Sequence, residues 1–242
     1  MNALITPTQG MMNSMAHDPA FDPDPSVDQD STARAFLRFA LAANVLRFGQ
    51  FQTKAGRTTP YFFNAGQFHN GTLLAQVGIF YADTLIQSRI PFDMLFGPAY
   101  KGIPLATVTA TALSQRHHRE IPIAYNRKEA KDHGEGGSLI GAPLHGRVII
   151  IDDVISAGTS VYESAEWIRQ SGAQLAGILI ALDRQERGSH SPVNAVREVE
   201  NRLAVPVRAI ASLDDLLILL EQTPELAQHL PAIQAYRARY GA

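Results

Sequence analysis

The second half of the chain alternates short apolar runs with longer stretches of helical spacing. The apolar runs predict strands over residues 93–97, 121–127, 147–152, 176–183 and 205–213. Most of the intervening segments, such as KGIPLATVTATALSQR, have the length and composition of crossover helices. Strand and helix in regular alternation predict an α/β fold with a mostly parallel sheet covered on both faces.

Helical spacing also marks two segments of the first half, RAFLRFALAANVL (residues 34–46) and TLLAQVGIFYADTLI (residues 72–86). The aromatic, Gly- and Pro-containing segment between them, residues 51–66, predicts extended chain and a turn. Near the end, SLDDLLILLEQTPELAQHL (residues 212–230) predicts a helix that begins at Ser212 with Asp215 three residues later.

The 242 residues and a hydrophobic content of 45% suit one substantial globular domain with an appendage. Residues 1–30 are rich in Pro and Asp and have no periodicity, so we expect a disordered acidic tail without a signal peptide. They hold five Asp and no Lys or Arg, so the net charge of −2 leaves +3 for the remainder. That balance is too mild to indicate a nucleic-acid partner.

The chain contains no cysteine, which excludes disulfides, a thiol nucleophile and a Cys-based metal site. Its longest apolar runs, such as AGILIAL, are far shorter than the roughly 20 residues that cross a bilayer. We therefore expect a cytoplasmic protein with no membrane association.

The most informative stretch is VIIIDDVISAGTS, residues 148–160, in which a buried strand ends in two carboxylates and a small turn. Ser160 and Glu163 match a helix-capping box, and Gly172 suits the end of that helix. The turn would then lie at a helix N-terminus, where free N–H groups and the helix dipole bind phosphate. It matches neither a Walker loop nor the dinucleotide-binding glycine pattern.

The two carboxylates, Asp152 and Asp153, could hold ribose hydroxyls directly or through Mg²⁺. The alternative is that one Asp caps the turn and the other is solvated. For the whole stretch the functional interpretation is favoured.

Two cationic clusters also follow predicted strands. Arg127, Lys128, Lys131 and His133 precede a glycine-rich loop that could close over a pyrophosphate, although such a charged run is often only a solvated loop. In FGPAYKGIP, Lys101 opposes the dipole of the helix it precedes, which favours an anionic partner.

Two further segments could hold the second substrate. Phe62 and Phe63 are adjacent in extended chain and should point to opposite sides, one into the core and one toward a planar base, unless both are core residues. Arg184, directly after a buried run, could bind a carboxylate in bidentate fashion or pair with a neighbouring Asp.

VIIIDDVISAGTS resembles the 5-phosphoribosyl-1-diphosphate (PRPP) motif of type I phosphoribosyltransferases. Together with KAGRTTPYFFNAG, GPAYKGIP, NRKEAKDHGEGG and ALDRQERG, it is similar to the orotate phosphoribosyltransferase family from about Ala35 onward. The resemblance implies a type I phosphoribosyltransferase fold over residues 31–242, with a small N-terminal hood mainly from residues 31–70. It also implies that PRPP and orotate give orotidine 5′-monophosphate and pyrophosphate in pyrimidine synthesis, with Mg²⁺.

The family's site residues carry over to matching positions. The implied PRPP contacts are Lys54, Tyr100, Lys101, Arg127, Lys128, Lys131, His133, Asp152, Asp153, Val154, Ile155, Ser156, Ala157, Gly158, Thr159 and Ser160. The implied orotate contacts are Phe62, Phe63, Ser156 (where many relatives have Thr) and Arg184. The implied catalytic residues are Lys131, His133, Asp152 and Asp153, and Mg²⁺ would be held mainly through PRPP and water, with Asp152 or Asp153 as candidate ligands.

The resemblance further implies a homodimer. In it, the cationic, glycine-rich loop that follows Asn126, here called the lid, reaches into the partner subunit's site. Our hypothesis is that catalysis consists mostly of positioning and charge stabilisation, with Lys131 contacting the transition state. Two alternatives stay open: a phosphoribosyltransferase for another base, and a non-catalytic PRPP-sensing regulator.

Overall fold

The computed structural model describes residues 29–53, 56–128, 138–188 and 193–242. Its α-helices are α1 (Gln29–Ala42), α2 (Gly71–Gln87), α3 (Gly102–His117), α4 (Thr159–Gln170), α5 (Ala195–Leu203), α6 (Leu213–Gln222) and α7 (Leu230–Tyr240). Its strands are β1 (Leu46–Gln52), β2 (Thr58–Phe63), β3 (Met94–Gly97), β4 (Ile123–Asn126), β5 (Leu139–Gly141), β6 (Arg147–Asp152), β7 (Gln174–Asp183) and β8 (Val207–Ser212). Short 3₁₀ helices lie at Ala65–Gln67 and Ala227–His229.

Six strands form one sheet in the order β5-β4-β3-β6-β7-β8, and β1 and β2 form a separate antiparallel hairpin. Neighbours in the large sheet are parallel except for the short β5, which is antiparallel to β4. The five predicted strands and the mostly parallel sheet are therefore confirmed. β5 was not predicted, because three residues are too few to show a period.

β6 is apolar throughout because both faces of the sheet are covered. Val148 and Ile150 pack in a core shared with residues of α4 and α5, whereas Ile149 and Ile151 pack with residues of α1, α2 and α6. All four side chains are fully buried. A strand between two cores needs apolar residues at every position, which explains the unbroken β-branched run.

The first helix begins and ends earlier than predicted, and its start at Gln29 lies inside the predicted tail. α1 ends at Ala42, Asn44 adopts a left-handed conformation with φ 55°, and β1 begins at Leu46. The prediction of helix to residue 46 was wrong because Val45 and Leu46 are buried by the hairpin, and a short apolar run fits either structure.

The C-terminal prediction is confirmed at its start and wrong at its end. Ser212 caps α6, accepting from the N–H of Asp215, while the Asp215 carboxylate accepts from the N–H of Ser212. The helix stops at Gln222 because Thr223 is extended before Pro224, and α7 begins only at Leu230. No helix within the described ranges is long and apolar enough to cross a membrane.

Candidate active site

Two carboxylates lie at the C-terminal end of β6, a central strand of the large sheet. Ligands of such sheets bind beyond the C-terminal ends of the strands. Asp152 and Asp153 are 7% and 6% exposed. One Asp152 oxygen accepts from the N–H of Asp153 at 2.9 Å and the other from the Ser160 hydroxyl at 3.0 Å. Burial and then the charge of Asp153 raise the pKa of Asp152 to about 6. The pair is therefore held rigidly, and Asp152 is mostly ionised at neutral pH.

A side chain of α2 holds the C-terminal end of β6 in place. The Tyr81 hydroxyl, fully buried, donates to the Asp152 carbonyl oxygen at 2.8 Å. Burial, followed by the charges of Asp153 and Asp152, raises the pKa of Tyr81 well above its ordinary value, so the hydroxyl stays a donor. The sequence pattern shows this residue only as an apolar position of a helix.

The turn after the carboxylates ends at the N-terminus of α4, as predicted. Gly158 is the N-cap, with φ 72° and ψ 4°. A β-carbon there would press on Tyr162 and Val199, so the position favours glycine both by conformation and by space. Ser156, Ala157 and Thr159 are exposed.

The predicted capping box of Ser160 and Glu163 is wrong. Ser160 lies inside the first turn of α4, and its hydroxyl donates to Asp152 instead of capping the helix. Within the described ranges, no acceptor pairs with the backbone N–H groups of residues 156–159. Uncapped N–H groups and the helix dipole thus remain for an anion. The predicted stop is confirmed: Gly172 follows α4 with φ 75°.

The β3 to α3 connection brings a lysine to the carboxylate pair. Lys101 Nζ lies 2.6 Å from an Asp153 carboxylate oxygen, and its side chain is 49% exposed. Glycines at 97 and 102 allow this close turn, because a β-carbon at Gly97 would clash with the Gly102 carbonyl group. The Lys101 ammonium is therefore available both to Asp153 and to a ligand in the solvent-exposed space beside it.

Tyr100 and Lys128 extend this cationic edge toward β4. The Lys128 ammonium lies 5.1 Å from the centroid of the Tyr100 ring, which is 66% exposed. The buried Asn126 side chain accepts from the N–H of Ala99 at 2.7 Å and joins the two connections. The Ala99 to Tyr100 peptide bond is cis.

The lid prediction falls largely on residues that the structure does not describe. Lys131 and His133, and also Lys54, lie outside the described residues. On either side of residues 129–137, the Arg127 N–H donates to the Ser138 carbonyl oxygen at 2.7 Å. Nη1 of Arg127 is buried without a hydrogen-bond partner among the described residues. A buried guanidinium nitrogen in that state indicates a site for an anionic acceptor.

Arg184 follows β7, the strand next to β6, and lies at the same sheet edge as the carboxylates. Its Nε donates to Glu186 Oε1 at 2.7 Å, and Nη2 lies 2.6 Å from the same oxygen as an ion pair. Nη2 also donates to the Thr59 hydroxyl at 3.2 Å. The guanidinium lies 4.5 Å from the ring centroid of Tyr61. The partner is therefore Glu186 in a buried cluster rather than a neighbouring Asp at the surface.

The two phenylalanines point to opposite sides of β2, as predicted. Phe63 is buried and packs near Phe36, with ring centroids 6.2 Å apart, whereas the half-buried Phe62 stacks on Phe51 at 5.3 Å. Tyr61 and Thr59 share the buried face of β2 with Phe63. The structure thus joins Arg184 to the buried face of the hairpin and leaves Phe62 on the other face.

The structure assembles two groups at one sheet edge. The first group joins the two carboxylates, the turn at the N-terminus of α4, and the side chains that follow β3 and β4. Its members are Asp152, Asp153, Ser160, Tyr100, Lys101 and Lys128. The second is centred on Arg184. Sequence reasoning missed Tyr81, Asn126 and Glu186, although a polar residue at the end of a buried strand was a usable signal for Asn126.

Comparison with known proteins gives consistent matches. A family model described as "Phosphoribosyl transferase domain" matches residues 64–207. The orotate phosphoribosyltransferase of Pseudomonas aeruginosa is 58% identical over 208 residues, covering 86% of this chain and 97% of that protein. That of Serratia proteamaculans is 57% identical with the same coverage. The crystal structure of the Francisella tularensis orotate phosphoribosyltransferase superimposes with a TM-score of 0.77 at 37% identity, over 86% of this chain and all of that one.

Proposed function

The chain belongs to the orotate phosphoribosyltransferase family, and we propose that it transfers the 5-phosphoribosyl group of PRPP to orotate in pyrimidine synthesis. Membership confirms the resemblance and the type I phosphoribosyltransferase fold predicted from the sequence. One observation of the structure carries the proposal. A buried carboxylate pair, an uncapped helix N-terminus and a lysine meet at one sheet edge, beside the arginine of the next strand.

The 5-phosphate of PRPP would bind the turn of residues 154–160. The free N–H groups of this turn lie at the N-terminus of α4. Ser156 and Thr159 add exposed hydroxyls. Gly158 lets the phosphate approach the backbone closely because no side chain intervenes.

The ribose would lie over Asp152 and Asp153. Ionised carboxylates accept hydrogen bonds from two neighbouring hydroxyls, and the raised pKa of Asp152 leaves it mostly ionised near neutral pH. Lys101 and Ser160 already hold these carboxylates in place, so ribose binding would require little rearrangement.

The pyrophosphate would be met by the cations of the same edge. Tyr100, Lys101, Arg127 and Lys128 surround the place where the β3 and β4 connections meet, and the buried, unpaired Nη1 of Arg127 would gain an anionic acceptor. Lys54, Lys131 and His133 complete the proposed set on the ground of the family resemblance alone. In the proposed homodimer the lid residues would act on the partner subunit's site.

Orotate would be held by its carboxylate at Arg184, with Ser156 as a further contact. Of the two phenylalanines, the partly exposed Phe62 could offer its ring, whereas Phe63 is buried against Phe36 and could contribute only its backbone. The Nε and Nη2 fork of Arg184 is taken by Glu186, so the proposed contact uses Nη1 rather than the expected bidentate fork.

In the reaction the bond between the ribosyl anomeric carbon and the pyrophosphate oxygen breaks, and a bond from that carbon to a ring nitrogen of orotate forms. The proton of that ring nitrogen would leave with the departing pyrophosphate. The ribosyl centre gains oxocarbenium character and the pyrophosphate gains charge. The carboxylates of Asp152 and Asp153 would stabilise the positive centre. Lys101, with Lys131 as the proposed transition-state contact, would stabilise the leaving group.

Mg²⁺ would be held mainly by PRPP oxygens and water. Among the described residues no group of three or more metal-ligating side chains occurs, and all four oxygens of the carboxylate pair already accept hydrogen bonds. Asp152 or Asp153 fits a contact to the hydrated ion, because carboxylates bind Mg²⁺ singly while it retains waters. Bound in this way, the ion would neutralise pyrophosphate charge. The proposal places the enzyme in the cytoplasm.

The test is the loss of orotate absorbance when the purified protein is mixed with orotate, PRPP and Mg²⁺. We expect consumption that requires all three components, and hypoxanthine, adenine and uracil should not replace orotate. Consumption of another base instead would assign a different phosphoribosyltransferase. PRPP binding with no turnover of any base would assign a regulator and overturn the enzymatic proposal.

A further inference from the structure

A buried cluster connects the hairpin, the β7 end and the C-terminal segment around Arg184. It contains Thr59 and Tyr61 of β2 with Glu186, and the Arg184 and Glu186 side chains are only 11% and 17% exposed. Ion pairs this enclosed are costly to assemble unless their geometry is well satisfied. Neither the reaction chemistry nor the family motifs assign a part to Glu186.

The contacts of Arg184 are divided between its two edges. Nε donates to one oxygen of Glu186 and Nη2 forms an ion pair with the same oxygen, while Nη2 donates to the Thr59 hydroxyl. Within the described part of the chain, Nη1 has no acceptor. The guanidinium plane is supported by the Tyr61 ring, so both the rotation and the tilt of the group are restricted.

Glu186 is itself fixed by backbone contacts on both sides. Its carbonyl oxygen accepts from the N–H of Ala195 at the start of α5, and it forms a β-bridge with Gly241. The next residue, Arg187, donates from its N–H to the Tyr240 carbonyl oxygen at 2.9 Å. The carboxylate therefore comes from an anchored backbone position rather than from a free loop.

Glu186 is contacted by two guanidinium groups. Arg57 Nη1 lies 3.9 Å from the second oxygen of Glu186, so two guanidinium groups share one carboxylate. A partly buried site in which two guanidinium groups share one carboxylate, and in which one guanidinium edge has no acceptor among the described residues, fits a ligand with a single carboxylate.

We infer that Glu186 is a positioning residue that holds Arg184 with its free Nη1 edge toward the base carboxylate, and so determines selection of a carboxylate-bearing base. This inference rests on the proposed function, since it takes Arg184 as the orotate contact. Glu186 does not touch the substrate in this account. It acts by fixing the guanidinium, and Thr59 assists it.

The test compares KM values for the two substrates in matched variants. Glu186→Gln keeps the shape of the side chain but weakens its charge-assisted hydrogen bond and its ion pair with Arg184, so KM for orotate should rise roughly tenfold. KM for PRPP should stay within about twofold of wild type. Thr59→Val should raise KM for orotate by a smaller factor. Glu166→Gln, which breaks an exposed pair with Arg169 on α4, is the control and should change neither KM.

A double-mutant cycle separates positioning from general support of the fold. Placed in an Arg184→Lys background, Glu186→Gln should lower kcat/KM for orotate by less than about twofold, because the group it positions is gone. Thermal melting of each variant shows that it is folded. Unchanged KM for orotate in both Glu186→Gln and Thr59→Val, equal changes in the two KM values, or full additivity in the cycle would overturn the inference. A wild-type protein that consumes no orotate would instead overturn the proposed function, and this inference with it.

Discussion

Tyr81 and Tyr61 provide a matched test of how the catalytic edge of the sheet is held. Both side chains are fully buried. The Tyr81 hydroxyl donates to the Asp152 carbonyl oxygen at 2.8 Å, whereas the Tyr61 hydroxyl has no hydrogen-bond partner within the described residues. The same substitution, Tyr to Phe, therefore removes a satisfied donor at one position and an unsatisfied one at the other.

Tyr81→Phe leaves the Asp152 carbonyl oxygen buried without its donor, which should lower the free energy of unfolding by roughly 1–3 kcal/mol. Tyr61→Phe removes an unpaired polar group and keeps the ring under Arg184, so the free energy of unfolding should stay within about 0.5 kcal/mol of wild type or rise. With an m-value of about 2 kcal/mol/M, the first change lowers the urea midpoint by roughly 0.5–1.5 M.

The assay is urea unfolding followed by circular dichroism, with all proteins at one concentration because association would shift the midpoint. Equal m-values would show that only stability changed. Two results would refute the reasoning: a Tyr81→Phe midpoint equal to wild type, or a loss in Tyr61→Phe as large as that in Tyr81→Phe.

The remaining predictions concern the site itself. The pKa of Asp152 is raised to about 6, above its ordinary 3.8, so the native state binds more protons and the free energy of unfolding falls as pH rises through that interval. Asp152→Asn should therefore raise Tm more near pH 7.5 than near pH 4. An equal change in Tm at both pH values would show that the ionisation of Asp152 does not lower stability. Gly158→Ala should cost roughly 1–3 kcal/mol in urea unfolding, since φ is 72° and the added carbon meets two side chains, and PRPP binding by calorimetry should weaken. Lys101→Ala should raise KM for PRPP more than KM for orotate in steady-state assays, whereas equal changes would argue against a pyrophosphate contact. Lys131→Ala should lower kcat by orders of magnitude while orotate binding stays similar. An unchanged kcat would contradict the role of Lys131 as a transition-state contact.

The strands were predictable because a strand buried on both faces appears in the sequence as an unbroken run of apolar residues. The run from Val148 to Ile151 reads as a central parallel strand, since each residue must be apolar wherever it points. Element ends were less predictable. Val45 and Leu46 continue an apolar pattern that suits helix or strand equally, and contacts with the hairpin decide the outcome.

The capping prediction failed for a similar reason. Ser160 and Glu163 have the spacing of a capping box, but the buried Asp152 carboxylate lies close enough to take the Ser160 hydroxyl. A motif of four residues contains no information about a carboxylate eight positions earlier that the fold brings back to it. The same applies to Glu186, which looks like a surface charge in the sequence and is enclosed only because α5 and the C-terminal segment converge on it.

The sequence by itself determined the fold class, the strand that carries the carboxylates, and the family, because periodicity and contiguous motifs are local properties of the chain. Only the tertiary structure decided how the side chains share their hydrogen bonds: Tyr81 beneath Asp152, Lys101 on Asp153, and Glu186 on Arg184. The first two pairs are separated by 71 and 52 positions, so their pairing depends on distance in space. Arg184 and Glu186 are only two positions apart, but the burial that strengthens their contact comes from segments distant in the chain.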